Sequence, residues 1–155
     1  MESVNLLVKQ NLILSYRTCG LLRNNKKVLL QIEDGNVLIP GGHVEFMEDS
    51  KNALIREFKE ELNLDIKINE FICFGEFLIN GDFNIQQLNT FYEASCDNLE
   101  IPQEGEFELK DSDGKMQKFK WFDEDEINKL ELEPKVLLDI IKGKQIENKH
   151  FVVNE

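Results

Sequence analysis

The sequence predicts an α/β chain, a mixed β-sheet with helices packed on its faces. Three observations carry that prediction. There is one strong amphipathic helix near the middle, strand-like apolar runs lie on both sides of it, and turn signals stand at nearly every junction. Residues 13–23 and 27–33 are apolar-rich and flank Asn24-Asn25, a short hairpin signal. Asp34-Gly35 turns the chain into a short strand over 36–40 that Pro40 stops. From Gly42 onward, alternation puts Val44 and Phe46 on one face and His43, Glu45 and Met47 on the other.

Ser50 is the expected N-cap of a helix running to about Leu62, with Leu54, Ile55, Phe58 and Leu62 as its apolar stripe. Asn63 stands where a helix takes a left-handed C-cap. Two long strands are expected over 67–79 and 84–95, joined at Asn80-Gly81-Asp82, and a second hairpin pairs 106–110 with 116–122 around Asp113-Gly114. Short helices over 124–130 and 134–142 follow, and the sparse basic cluster of Lys142, Lys144 and Lys149 reads as a solvated tail. No repeat, low-complexity tract or linker divides the chain, so residues 1–155 read as one domain. A chain of that length buries roughly 70% of the surface its unfolded form exposes, enough for a core without disulfides or structural metal.

Composition bounds the function. With 30 acidic and 18 basic residues the formal charge is -12, which opposes binding of long nucleic acid or of anionic membrane. A small anionic substrate is compatible with that charge if cations cancel it locally, since screening confines the global repulsion to about 8 Å. The three cysteines, Cys19, Cys73 and Cys96, are far apart and lack metal-ligand spacing, so they read as buried thiols of a reducing compartment. The first residues lack a basic run and a long apolar run, which points to the cytoplasm.

The chemistry concentrates in residues 41–64. On a helix Glu57, Glu60 and Glu61 stand at i, i+3 and i+4, so three carboxylates share one face while Phe58 and Leu62 point away. Such a face needs a counter-charge, and oxygen ligands at this density favour Mg²⁺ or Mn²⁺. Gly41-Gly42 forms a turn whose backbone carbonyls can face a metal and whose amides can face a phosphate. Arg56 can pair with Glu60 one turn on or with Glu48 across the loop, fixing a carboxylate rather than holding substrate. His43, beside the turn, is a candidate phosphate contact, although a lone histidine is more often a plain surface residue. Asp111-Ser112-Asp113-Gly114 invites a calcium-loop reading. Gly114 at the sixth loop position would put Leu109 first and Lys120 twelfth, where acids are required, so a hairpin turn is expected instead. The aromatic residues Phe71, Phe74, Phe77, Phe91 and Tyr92 read as core, with Phe77, Phe83 and Tyr92 open as base-stacking partners.

Gly42, five residues, Glu48, seven residues, Arg56-Glu57-Phe58, one residue, Glu60-Glu61, one residue, Asn63-Leu64: this run resembles the Nudix hydrolase signature at every fixed position except the last glycine. Asn63 replaces that glycine, and asparagine tolerates the same left-handed turn. Pro40-Gly41-Gly42, and Lys120-Trp121-Phe122 followed by acidic residues 123–126, also look like the family. The resemblance implies an α/β/α sandwich with a mixed sheet and hydrolysis of a nucleoside diphosphate linked to another group. Glu57, Glu60 and Glu61 would bind the metal with the Gly41 carbonyl, and Glu48 would support them or bind a second metal through water. Glu57 is the first choice of general base, and a later acid among Glu104, Glu106 and Glu108 would assist. The expected reaction is Mg²⁺-dependent cleavage of a nucleoside triphosphate to monophosphate and pyrophosphate. Nucleotide sugars and dinucleotides stay open as substrates, and a nucleotide-binding module without turnover is the rival from another class. An isoprenoid diphosphate isomerase lacks support in the placement of the cysteines. A homodimer is common in the family, and the apolar residues 4–14 are open as its interface or as an edge strand.

Overall fold

The computed structural model describes residues 2–155. Ten strands are assigned in it: β1 (Asn5–Lys9), β2 (Leu12–Asn24), β3 (Lys27–Glu33), β4 (Asn36–Leu38), β5 (Gly41–His43), β6 (Lys67–Ile79), β7 (Asn84–Ser95), β8 (Glu106–Lys110), β9 (Met116–Phe122) and β10 (His150–Asn154). The helices are α1 (Ser50–Leu62), α2 (Glu124–Asn128) and α3 (Lys135–Ile141). Strand order along the main path is β10-β6-β7-β2-β3-β9-β8, with β1 and β5 on β2 and β4 on β3. The β2–β7 and β6–β10 ladders are parallel and the others antiparallel, so the sheet is mixed as expected.

One feature of this topology positions the site. β2 and β3 pair only next to their turn, at Arg23↔Val28 and Asn24↔Lys27. Beyond that point they part: β2 takes β5 along its free edge and β3 takes β4. The sheet therefore opens into two leaves with a cleft between them.

The core divides into two layers. Leu54, Phe58 and Leu62 of α1 pack with Leu22, Leu29, Phe119 and Trp121 on one face. Ile127 of α2 and Ile140 and Ile141 of α3 pack with Leu21, Leu30, Phe77 and Phe91 on the other. Helices thus cover both faces, the α/β/α arrangement. Among the described residues no helix is long and apolar enough to cross a membrane.

Several local expectations need correction. The N-cap of α1 is Asp49, whose side chain accepts from the Asn52 amide, because Ser50 is drawn inward to share a 2.6 Å hydrogen bond with the Tyr92 hydroxyl. Ala53 is buried in place of Ile55, which lies half out of the core. Phe46 does not follow Val44 inward, since β5 ends at His43 and Met47 turns the chain with a left-handed φ of 65°. The two C-terminal helices are shorter than expected: α2 stops at Asn128, and Pro134 and Lys142 cap α3. Cys19 and Cys73 are buried but Cys96 is partly exposed. The largest miss is β10. Lys142, Lys144 and Lys149 are exposed as expected, but the residues after them add a parallel strand to β6, where Phe151 lies against Gly75 so closely that a Cβ there would meet its ring at 2.3 Å. The 67–79 stretch carries a glycine in mid-strand, which often marks close approach of another group. Residues 4–14 contain β1, an edge strand paired with β2 alone, and the start of β2.

Candidate active site

The site grows from the exposed side of α1. Asp49 caps the helix, Asn63 ends it at φ 53°, and Phe58 and Leu62 anchor it in the core. With the helix so held, Glu57 reaches the β5 backbone, and Glu60 and Glu61 stand one turn further along the same face.

Arg56 organises the carboxylates around it. Its Nε and Nη2 donate to the two oxygens of Glu48 at 2.8 and 2.9 Å, a bidentate pair. Nη1 donates to Glu57 Oε1 at 3.0 Å and to Glu60 Oε2 at 3.2 Å, and Nη2 also reaches the His43 carbonyl at 3.0 Å. One guanidinium thus ties the loop, the helix and β5 together. The hydrogen bonds from Arg56 hold the Glu48 carboxyl below the usual carboxylate range, and Glu48 in return raises Arg56. Glu48 Oε1 also accepts from the Glu45 amide at 3.1 Å.

Glu57 lies against the backbone of Gly42, where a Cβ would come within 2.3 Å of its carboxyl carbon. A side chain there would push that carboxylate aside from its place beside Arg56. In the antiparallel ladder Gly20 donates to Pro40 and Val44 to Tyr16, so alternation turns Gly42 onto Thr18 and leaves the Gly41 and His43 carbonyls facing away from β2. Gly42 therefore serves the site by the side chain it lacks, while its amide belongs to the ladder. The His43 ring is turned to Ser15, with Nε2 3.1 Å from Oγ, and burial followed by the nearby Arg17 charge lowers its pKa.

Burial raises the Glu57 carboxyl, opposed by Arg56. Glu61 has no such clamp. Burial first, then repulsion from Glu57, push it up to about 8, with Asp111 and Glu60 adding to the repulsion and Arg17 opposing it. Asp111 and Arg17 are the residues that sequence reasoning missed. Glu104 lies 3.8 Å from Lys27, and Glu106 and Glu108 lie 3.2 and 3.9 Å from Lys118, all three acids being exposed. Asp111 instead sits in the β8–β9 turn, which docks on α1 through a 3.0 Å bond from the Ser112 amide to the Glu60 carbonyl. Hydrogen bonds from Gln117 and from the Lys115 and Asp113 amides hold its carboxyl low. The signal for it was the Asp-x-Asp-Gly turn, legible as a turn but not as a neighbour of α1. The side chain of Arg17, on β2 beside His43 and Asn89, makes no ion pair or hydrogen bond among the described residues and lines the cleft.

The family model of the NUDIX domain matches residues 15–141. The chain belongs to the Nudix family. Members of this family are hydrolases of diphosphate bonds that generally use divalent metals, and the chain is an enzyme of that class. A structure of a NUDIX-family hydrolase from Clostridium perfringens aligns with a TM-score of 0.62 over 83% of this chain and 94% of that one, at 19% identity. An ADP-ribose pyrophosphatase from Streptococcus suis aligns at 0.55 over 91% and 98%, at 15% identity. At these identities the likeness is one of fold. A U8 snoRNA-decapping enzyme of Homalodisca vitripennis is 46% identical over 50 residues, which span 32% of this chain and 27% of that protein.

The Nudix carboxylates suit a hard cation in kind and in charge. Among the described residues no three acidic, histidine or cysteine side chains converge as a finished cage. Glu57 and Glu60 lean on Arg56, while the Glu61 side chain makes no hydrogen bond or ion pair among the described residues and its carboxyl is pushed up to about 8, so added positive charge would favour its ionised form.

Proposed function

We propose that this Nudix hydrolase is a Mg²⁺-dependent pyrophosphohydrolase of a small nucleotide, with nucleoside triphosphate cleaved to monophosphate and pyrophosphate as its first substrate class. The observation that carries the reading is the acidic face of α1 as it folds: Glu57, Glu60 and Glu61 share one helix, Arg56 ties Glu48, Glu57 and Glu60 together, and Glu57 lies against the Gly42 backbone. Glu57, Glu60, Glu61 and the Gly41 carbonyl would hold Mg²⁺, or Mn²⁺ in its place. When bound, the cation supplies Lewis-acid polarisation of a phosphoryl oxygen, neutralises developing charge and lowers the pKa of a bound water.

The chain's own groups do the rest. Arg56 and Glu48 hold the loop and helix at a fixed separation, so that the carboxylates keep their places through turnover. Arg17 and His43 line the side from which a phosphate enters. The water proton passes to a glutamate as the water oxygen bonds to phosphorus and the bridging P–O bond breaks. Glu57 is the first choice for that base, with Asp111 in the role first given to Glu104, Glu106 and Glu108. The apolar groove of about 400 Å³ that Val8, Leu12 and Leu14 help to line, with Leu7 exposed beside it, supports a homodimer through the N-terminal strands. The cytoplasm remains the proposed location.

A screen of purified protein with Mg²⁺ against nucleoside triphosphates, nucleotide sugars and dinucleotides, with products read by mass, tests the reading. Release of monophosphate and pyrophosphate from a triphosphate is expected. Nucleotide binding without cleavage of any of these would replace the enzyme with a binding module.

A further inference from the structure

β3 and β9 lie side by side beneath α1, and the face they turn to the helix begins as core. Leu29, Phe119 and Trp121 are buried there with Leu54, Phe58 and Leu62. Leu29 pairs with Trp121 and Gln31 with Phe119, so alternation puts Gln31 and Gln117 next on the same face. Both are buried, at 8% and 9% exposed. Two amides at the end of an apolar row are a poor choice for stability, since each needs hydrogen bonds to offset its desolvation and an apolar pair would need none.

The amides find those bonds in a chain that ends on an acid. Gln31 Nε2 donates to Gln117 Oε1 at 2.7 Å, and Gln117 Nε2 donates to Asp111 Oδ2 at 3.1 Å. Chemistry imposes the direction. Asp111 Oδ1 already accepts from the Asp113 and Lys115 amides at 2.9 and 2.8 Å, and an ionised carboxylate has no proton to give. Gln117 must turn its NH₂ to Asp111 and its oxygen to Gln31, which settles both amide orientations. The hairpin does not need the second carboxylate oxygen held. Its turn is closed by the Asp111 and Gly114 amides, which donate to the Lys115 and Asp111 carbonyls at 2.8 and 3.0 Å, and by the two bonds to Oδ1. What the Gln117 bond adds is control of where the carboxylate points. The same turn is pinned to α1 by the Ser112 amide on the Glu60 carbonyl, and Asp111 stands near enough to Glu61 for its charge to raise that carboxyl.

We infer that Gln117, backed by Gln31, is a positioning residue of this hydrolase: the two amides fix the Asp111 carboxylate beside the α1 acids, in the orientation in which it takes part in the reaction. The inference deepens the proposed function and rests on it, since it takes Asp111 to assist the attack on phosphorus. It places the support for that acid on β3 and β9, outside the run of residues that resembles the family signature.

The test measures kcat, KM and melting temperature with Mg²⁺ and the preferred triphosphate for Gln117→Leu and Gln31→Leu, each alone and combined with Asp111→Asn. The asparagine removes the charge and keeps acceptors for the turn. Gln117→Leu is expected to lower kcat by roughly 10- to 100-fold, with KM little changed and no loss of melting temperature. Gln31→Leu should do the same to a smaller extent. In the Asp111→Asn background neither should lower kcat further. Full kcat in folded Gln117→Leu would overturn the inference. So would an equal fold-loss in both backgrounds, because a role in packing alone does not depend on the Asp111 carboxylate. If Gln117→Leu does not fold, Gln31→Leu decides by the same comparison. If wild type cleaves no triphosphate, the proposed reaction fails separately, and the relay is read by NMR of ¹⁵N-labelled protein. Asp111→Asn should then move the side-chain amide signals of Gln117 and, through it, of Gln31, and an unmoved Gln31 refutes the inference.

Discussion

The two faces of α1 are held by opposite means. The inner face, Leu54, Phe58 and Leu62, is almost wholly buried and is stabilised by apolar contact with both leaves of the sheet. The outer face, Glu57, Glu60 and Glu61, crowds three acids whose mutual repulsion Arg56 and the more distant Arg17 partly offset. One face supports the fold and the other works against it, which is the mark of residues kept for chemistry rather than stability.

Substitutions should separate the faces. Phe58→Ala removes a fully buried ring and is expected to cost about 3–5 kcal/mol, lowering the thermal midpoint and activity together. An unchanged midpoint would mean that the two faces do not divide the work in this way. Arg56→Met probes the seam between them: it removes the cation that pairs with Glu48 and Glu57. The expected loss is about 2–3 kcal/mol in urea unfolding, less than for a fully buried pair because solvent reaches part of the guanidinium.

The outer face also makes a pH prediction. Glu61 has a folded pKa of about 8 against an ordinary 4.5, and Glu57 is shifted the same way. A raised carboxyl contributes stability that is complete below its ordinary value and is lost as pH rises through the folded one. His43, lowered in the fold, gives the opposite slope, but only below its ordinary 6.5. From pH 6.5 to 8 the melting temperature in chelator should therefore fall, and saturating Mg²⁺ should remove the fall. A flat profile in chelator would show that the acids do not strain the fold. The smallest effect belongs to the loop that joins β5 to α1. Met47, 97% exposed, holds φ at 65°. Relief of about 1–2 kcal/mol of left-handed strain, less about 0.5–1 for the entropy of glycine, leaves a net gain of about 0.5–1 kcal/mol for Met47→Gly.

The same contrast governs what could be read from the sequence. The residues of the acid face lie within one stretch from Gly41 to Glu61, so helical spacing and a glycine turn were enough to bring them together. The wall across the cleft was not legible. Arg17, Gln31, Gln87 and Asn89 sit on three strands, and they meet only because β2 and β3 separate after one turn. Ladder register, which sequence periodicity does not contain, decides that meeting. Asp111 was hidden in the same way, since its turn reaches α1 through a single backbone bond from Ser112. β10 escaped because five residues with two exposed charged or polar neighbours carry little alternation signal on their own. Ser50 was mistaken for a cap because its hydroxyl has a better partner in Tyr92, a contact set by tertiary packing.

The most direct measurement is turnover of a nucleoside triphosphate across a Mg²⁺ titration in wild type and Glu61→Gln, with melting temperature followed in the same samples. Wild type should gain activity and melting temperature together as Mg²⁺ rises, while Glu61→Gln should fold, melt no lower than wild type in chelator, and lose turnover by orders of magnitude. Near-normal activity in the folded variant, or full wild-type activity in chelator, would contradict the assignment of the α1 carboxylates to a metal-dependent diphosphate hydrolase.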